Sequence, residues 1–418
     1  MNAQSKNSCS FVVFYCYMGK ILDYIQSSGN GKYLCYKTKK LSLDASDNDT
    51  IEYTYDDKAI VQITKSVFAE TDRSRKSVVS LRNLWNNENP PPPIFRYFLD
   101  GSRRTYKVDD IAIGKKIFPI IAGQIIVGCC ERKDRDTFKK FDNVSSKIVI
   151  AMPDDFDDDD GGENFCRSYC EKLNEEITKI PFIKERGIKI DKLLLYKTDG
   201  FTEDKEKDFF KNKGVAKIQN EMTDEEQKLV AKLCKQNKLD DENWLIKDGS
   251  IEYNPGYTNL DPAQWNNLRA NYQNVVGVSK SFDPELLNDY DGNSLAKTIA
   301  NLKPFERTKV YRYETKHSHR GGGTFSSFYA VWYLRLRNSD FRETNFSDIV
   351  KCEMVLLQED KPIDSDIIDA ISINLIREAY PVCYGADGRW ANHLYPVFLT
   401  ESFCKSHYIN NNVILNLF

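Results

Sequence analysis

Two aspartates close apolar runs that share one pattern, Phe98-Leu99-Asp100-Gly101-Ser102 and Trp244-Leu245-Ile246-Lys247-Asp248-Gly249-Ser250. An apolar run ending in Asp-Gly reads as a buried strand delivering a carboxylate to its C-terminal edge, with glycine supplying the turn or bulge behind it. Two such strands in one sheet would hold Asp100 and Asp248 at one rim. Hard cations such as Mg²⁺ or Mn²⁺ take oxygen ligands, and two-metal phosphoryl chemistry needs carboxylates converging from separate elements. Asp-Gly is also ordinary turn chemistry, and the recurrence brings the site reading level with that one.

Two further residues fit the same chemistry. Met222 to Cys234 reads as a helix with an apolar face at Met222, Leu229, Val230 and Leu233, and Thr223 followed by Glu226 has the spacing of a capping box. Glu226 shares that apolar face and would reach the rim where Asp248 ends, although capping alone explains it as well. Asn274 to Lys280 is an apolar strand ending in lysine. A lysine there is ordinarily a solvated tip; beside carboxylates, Lys280 would hold a phosphate or stabilise developing charge.

Between Asn301 and Arg337 lie Lys303, Arg307, Lys309, Arg312, Lys316, Arg320, Arg335 and Arg337 against Glu306 and Glu314, interleaved with aromatic residues. Basic groups neutralise phosphates and aromatic faces stack on unpaired bases, so the segment suits a nucleic-acid strand entering a cleft. A half-buried strand over Tyr329 to Arg337 is the plainer account. His317 and His319 beside Gly321 to Gly323 read as a solvated loop, since no cysteine or carboxylate completes a metal-site spacing.

The elements positioning these residues follow from the pattern. Residues 1–89 read as an α+β extension, with strands over Ser10 to Tyr17, Lys32 to Tyr36 and Ile60 to Ile63 and an amphipathic helix over Arg73 to Trp85. Pro90 to Pro93 ends that region as an extended connector. The core, 94–418, opens with Ile94 to Leu99, returns through Ile111 to Ile113 and Phe118 to Cys130, and is interrupted by an insertion at about 131–215. There Lys147 to Ala151 and Lys192 to Tyr196 read as strands and Phe165 to Ile180 as a helix. Asp154 to Glu163 carries seven acids in ten positions, which repel one another and remain a solvated loop. Later come a strand at Val350 to Leu357, helices at Ser365 to Tyr380 and Leu399 to His407, and a last strand or turn at Val413 to Leu415. The fold expected is α/β, a mixed sheet flanked by helices.

Composition bounds the rest. With 418 residues, 41% hydrophobic and 12% aromatic, the chain can bury a large core. Its formal charge is −3, so nucleic-acid affinity must come from a local patch. Eleven cysteines without disulfide-scaffold spacing read as reduced thiols. Phe11 to Tyr17 is too short to span a bilayer and lacks the flanks of a signal peptide, which gives a cytoplasmic protein without a membrane association.

In order, Phe-Leu-Asp-Gly-Ser, a helix with glutamate, Trp-Leu-Ile-Lys-Asp-Gly-Ser, Val-Val-Gly-Val-Ser-Lys at 275–280 and Leu394-Tyr395-Pro396-Val397-Phe398-Leu399 resemble the NurA nucleases over about residues 94–130 and 215–410. The resemblance implies an RNase H-like, metal-dependent DNA nuclease acting as a homodimer with a HerA-like hexameric ATPase, in DNA end processing or phage defence. It makes Asp100, Asp248 and Glu226 ligands of one or two Mn²⁺ or Mg²⁺ ions, Glu226 being the helix glutamate with Glu221 and Glu225 as neighbours in register, and Lys280 the lysine of the following strand. The chain departs from the family at Ser402-Phe403, where Ala-His is common; His393 and His407 are the nearest histidines. No Gly-x-x-x-x-Gly-Lys-Ser/Thr loop is present, so any motor is a separate protein. A catalytically weak DNA-binding scaffold that regulates such an ATPase, and an RNA-cleaving enzyme with the same carboxylate logic, are the competing expectations.

Overall fold

The computed structural model describes residues 19–43, 67–134, 137–157, 162–198, 208–252, 262–288, 292–319, 323–337, 344–358, 361–383 and 390–418. The expected strands at Ser10 to Tyr17 and Ile60 to Ile63, the middle of the acidic run and Arg320 lie outside these residues. One large mixed sheet organises the rest, with helices on both faces. Nine of the described strands form its body: β1 (Phe95–Ile113), β2 (Lys116–Arg132), β3 (Ser145–Pro153), β4 (Lys192–Tyr196), β5 (Trp244–Asp248), β6 (Val275–Ser279), β7 (Tyr311–His319), β8 (Gly323–Arg335) and β9 (Ile349–Leu356). Their spatial order is β7-β8-β9-β6-β5-β1-β2-β3-β4. β1, β2 and β3 form an antiparallel meander, β5 and β6 run parallel to β1 on its other side, and β9, β8 and β7 continue antiparallel.

The central strands are apolar because both faces are covered. Successive side chains of β5 point to opposite faces. Leu245 joins Tyr97, Leu99, Val230 and Leu233 beneath the helix Phe209–Lys235. Ile246 joins Phe98, Val278, Ile368, Ile371 and Val397 beneath the helices Ser365–Glu378 and Tyr395–Lys405. Each such fully buried side chain is worth about 1.5–3 kcal/mol, which pins the register of β5 against β1. A slip of one residue would exchange the two apolar sets between faces.

Several expected elements take another form. Residues 145–153 and 192–196, expected within an insertion, are consecutive members of the same sheet. The stretch Arg73 to Trp85 is not one amphipathic helix: Val78–Ser80 is a strand paired with Glu306–Thr308, and only Arg82–Trp85 is helical, because Val78 and Val79 find an open edge to pair with. The helix expected from Met222 begins a dozen residues earlier, so Thr223 is interior and its Oγ1 donates to the Gln219 carbonyl at 3.1 Å instead of capping. His317 and His319 belong to β7, not to a loop. The chain closes with a helix, Asn411–Leu417, where a strand or turn was expected, its first turn capped by the Asn410 side chain accepting from Asn412 N. Pro396 stands in the first turn of Tyr395–Lys405, where a missing N–H costs nothing. Among the described residues no helix is long and apolar enough to cross a membrane, and the described cysteines are free thiols.

Candidate active site

Parallel pairing sets Ile246 beside Phe98 and Lys247 beside Leu99. One residue further along each strand come Asp248 and Asp100, which line the same cleft. Asp248 also pairs with Val278 of β6, and Lys280 follows two residues later on the same face. Asp100, Asp248 and Lys280 therefore share one rim, where β5 and β6 end beside β1, which runs on past Asp100. They line a cleft of about 200 Å³ together with Gly101, Ser102, Glu226, Lys247, Ser250, Glu252 and Glu401.

The two Asp-Gly-Ser sequences reach this rim by different local structures. Gly249 has φ +79°, so β5 ends there in a turn that an L side chain rarely adopts. Gly101 makes no turn: β1 continues through it, with Asp100 opposite Gly128 and Gly101 opposite Val127. The second glycine is required by close approach, since a Cβ on it would lie 2.3 Å from Glu226 Oε1. Beneath the turn after Asp248, Glu353 of β9 accepts from Ser250 Oγ at 2.7 Å and Ile251 N at 2.9 Å, and is paired with Lys351 at 2.6 Å. Burial would raise the Glu353 pKa, but Lys351 and these donors hold it below the usual carboxylate range.

Lys280 Nζ lies 2.8 Å from Asp248 Oδ2 and 3.2 Å from Glu401 Oε2. Burial pulls the Lys280 pKa down, yet Asp248, Glu401 and Asp100 outweigh it and hold the ammonium well above its ordinary value. Glu401 is the reciprocal case: burial raises it, while Lys280 and Lys405 bring its carboxyl down to about 2. Asp100 is in the opposite condition. It is 4% exposed, its Oδ2 has no hydrogen-bond partner, and burial, then the charges of Asp248 and Glu401, push its pKa well above the carboxylate range. A buried, unpartnered carboxylate oxygen among like charges could take a cation, although among the described residues no three His, Cys, Asp or Glu side chains stand ready-grouped around one. The donor set is all oxygen, which fits Mg²⁺ or Mn²⁺.

Of the three glutamates in register on the helix, only Glu226 enters the cleft. Glu221 pairs with Lys147 and Lys192, and Glu225 with Lys147 and Lys228. Glu401, Lys247 and Glu353 were missed in the sequence. Glu401 sits within the last motif's helix, six residues after Tyr395, and Glu353 is an acid inside an otherwise apolar strand; both were visible signals. His393 is buried with Nδ1 3.9 Å from Glu401 Oε2.

The basic segment is corrected in part. Arg307 is fully buried, its Nε 2.7 Å from Asp369 Oδ1 and its Nη2 2.9 Å from Glu70 Oε2. Arg335 is fully buried and donates to the carbonyls of Ser347, Asn345 and Ala300, and Arg337 donates to those of Ala379 and His393. These three hold the fold and cannot meet a phosphate. Alternation places strand residues on a face but does not reveal whether that face is covered. Lys303 is exposed, and Arg312 is half-buried with its guanidinium 5.4 Å from the Phe328 ring. Lys316 lies on β7 opposite Ser326.

No family model matches this sequence, and no curated protein sequence matches it.

Proposed function

We propose that this protein is a metal-dependent nuclease hydrolysing DNA phosphodiester bonds, on an RNase H-like sheet of the NurA type. The observation that carries the reading is the orphaned Oδ2 of Asp100, buried beside Asp248 and Glu401 in one cleft. An antiparallel meander whose first strand carries the aspartate supports the RNase H-like part. Asp100, Asp248 and Glu401 would hold Mn²⁺ or Mg²⁺, with Glu226 closing the cleft from the other face. When bound, such an ion supplies Lewis acidity and a water acidic enough to attack near neutral pH. The chain's own residues orient the substrate: Lys280, fixed by Asp248 and Glu401, keeps its proton at any working pH and offers it to a phosphate oxygen. Glu353 keeps the Gly249–Ile251 turn, and so the Asp248 carboxylate, in place. Docking on a HerA-like ATPase as a homodimer completes the proposal.

The test is cleavage of single- and double-stranded DNA with Mn²⁺ by wild type, Asp100→Ala and Asp248→Ala. Cleavage lost in both variants is expected. Equal cleavage in all three proteins overturns the reading, and DNA binding without cleavage by wild type would leave the scaffold function in its place.

A further inference from the structure

The two ammonium groups of the cleft belong to opposite faces of the sheet. Asp100, Asp248 and Lys280 point toward the helix Tyr395–Lys405, which brings Glu401. Lys247 precedes Asp248 and so points the other way, toward the helix Phe209–Lys235, as does Gly101 after Asp100. There Lys247 Nζ lies 3.1 Å from Glu226 Oε2 and donates to the Asp248 carbonyl at 2.7 Å. Both side chains are more than nine-tenths buried, 6% and 4% exposed.

Charge divides along the same line. On the Asp100 face three carboxylates stand against Lys280, a surplus that one divalent ion neutralises. Lys405 reaches Glu401 from outside with its side chain 52% exposed, where water screens it. On the Glu226 face Glu226 is paired with Lys247, and the remaining carboxylate of the lining, Glu252, accepts from the Tyr313 hydroxyl at 3.0 Å. A second divalent ion at Glu226 would have to enter against a buried ammonium.

We propose that Lys247 takes the place of a second metal ion: held by Glu226 at the rim, its ammonium bears on the phosphate from the side opposite a single divalent ion on Asp100, Asp248 and Glu401. The inference rests on the hydrolase reading above and assigns Glu226 to positioning Lys247, not to binding metal. Gly101 belongs to the same device, since only a residue without a Cβ admits Glu226 to this position.

Titration of the full-length protein with Mn²⁺ alone, followed calorimetrically, decides the matter. Wild type is expected to bind one ion, Asp248→Asn none, and Glu226→Gln one ion with unchanged affinity. Lys247→Met should take up a second ion at the uncompensated Glu226 and lose about 10²-fold in turnover with Mn²⁺ saturating. Two ions in wild type, or a Glu226→Gln variant that loses its ion as Asp248→Asn does, would overturn the inference while leaving the nuclease standing. If Lys247→Met does not fold, the Glu226→Gln and wild-type titrations still decide. A folded wild type that binds no ion would overturn the hydrolase reading and this inference with it.

Discussion

Replacing Asp100 with asparagine should stabilise the metal-free protein. The carboxylate is buried beside Asp248 and Glu401 with one oxygen unpartnered, so its ionised form is strained by desolvation and repulsion. An amide of the same shape cannot ionise and offers N–H donors to the neighbouring carboxylates, and satisfying a buried group left unpartnered is worth about 1–3 kcal/mol. Unfolding entropy near 2.1 cal/mol/K per residue gives roughly 0.9 kcal/mol/K for 418 residues, so Asp100→Asn should raise Tm by about 1–3 °C. Mn²⁺ at a thousandfold excess over Kd should stabilise wild type by about 4.1 kcal/mol, or about 5 °C, and leave Asp100→Asn unmoved. The two proteins should therefore exchange rank in thermal unfolding followed by circular dichroism with and without MnCl₂. A metal-free variant melting below wild type would make Asp100 a structural anchor, and equal Mn²⁺ shifts in both would remove it from the metal site. Either result refutes the argument.

Further outcomes follow from other parts of the molecule. Gly101→Ala should displace the Glu226 carboxylate from Lys247 and cut DNA cleavage at least tenfold, on the scale of lost orienting partners; preserved turnover would contradict the role given to Glu226. Arg307→Ala should cost about 3–5 kcal/mol by leaving Glu70 buried without its cation, while Asp369 keeps Arg75, measured by urea unfolding. Lys303→Ala should leave stability unchanged and, if Lys303 meets a phosphate, lower the salt slope of DNA binding by about 1; an unchanged slope removes it from the interface. Burial raises the Glu225 pKa, but Lys147, Lys228 and Ser145 bring it down to about 2 from 4.5. Its folded-state pKa is depressed, so its contribution is full above the ordinary carboxylate range and fades as pH falls through 4.5 toward about 2. Glu225→Gln should flatten that part of the acid-unfolding curve, and an unaltered curve would deny the linkage.

Much of this site was legible along the chain. Apolar runs ending at Asp100 and Asp248 marked the strands, Lys280 closed a third, and the period of Val230 and Leu233 put Glu226 on a sheet-facing helix. Those signals are local, set by side-chain period and by what an Asp-Gly pair can do in a backbone. The same local logic failed for Arg307, Arg335 and Arg337. Period two fixes which residues share a face, whereas burial depends on whether residues far along the chain, here Glu70, Asp369 and His393, come to cover it. Gly101 looked like a turn for the same reason, and only Glu226, packed from another element, explains why no side chain fits there. Glu401 and Lys247 were passed over because their roles are relations between strands and helices: which carboxylate meets which ammonium is settled by packing across the two faces of the sheet. Sequence thus named the chemistry and the strands that carry it. Tertiary structure decided which charges meet, because Coulomb energy depends on distances that no residue's own neighbours determine.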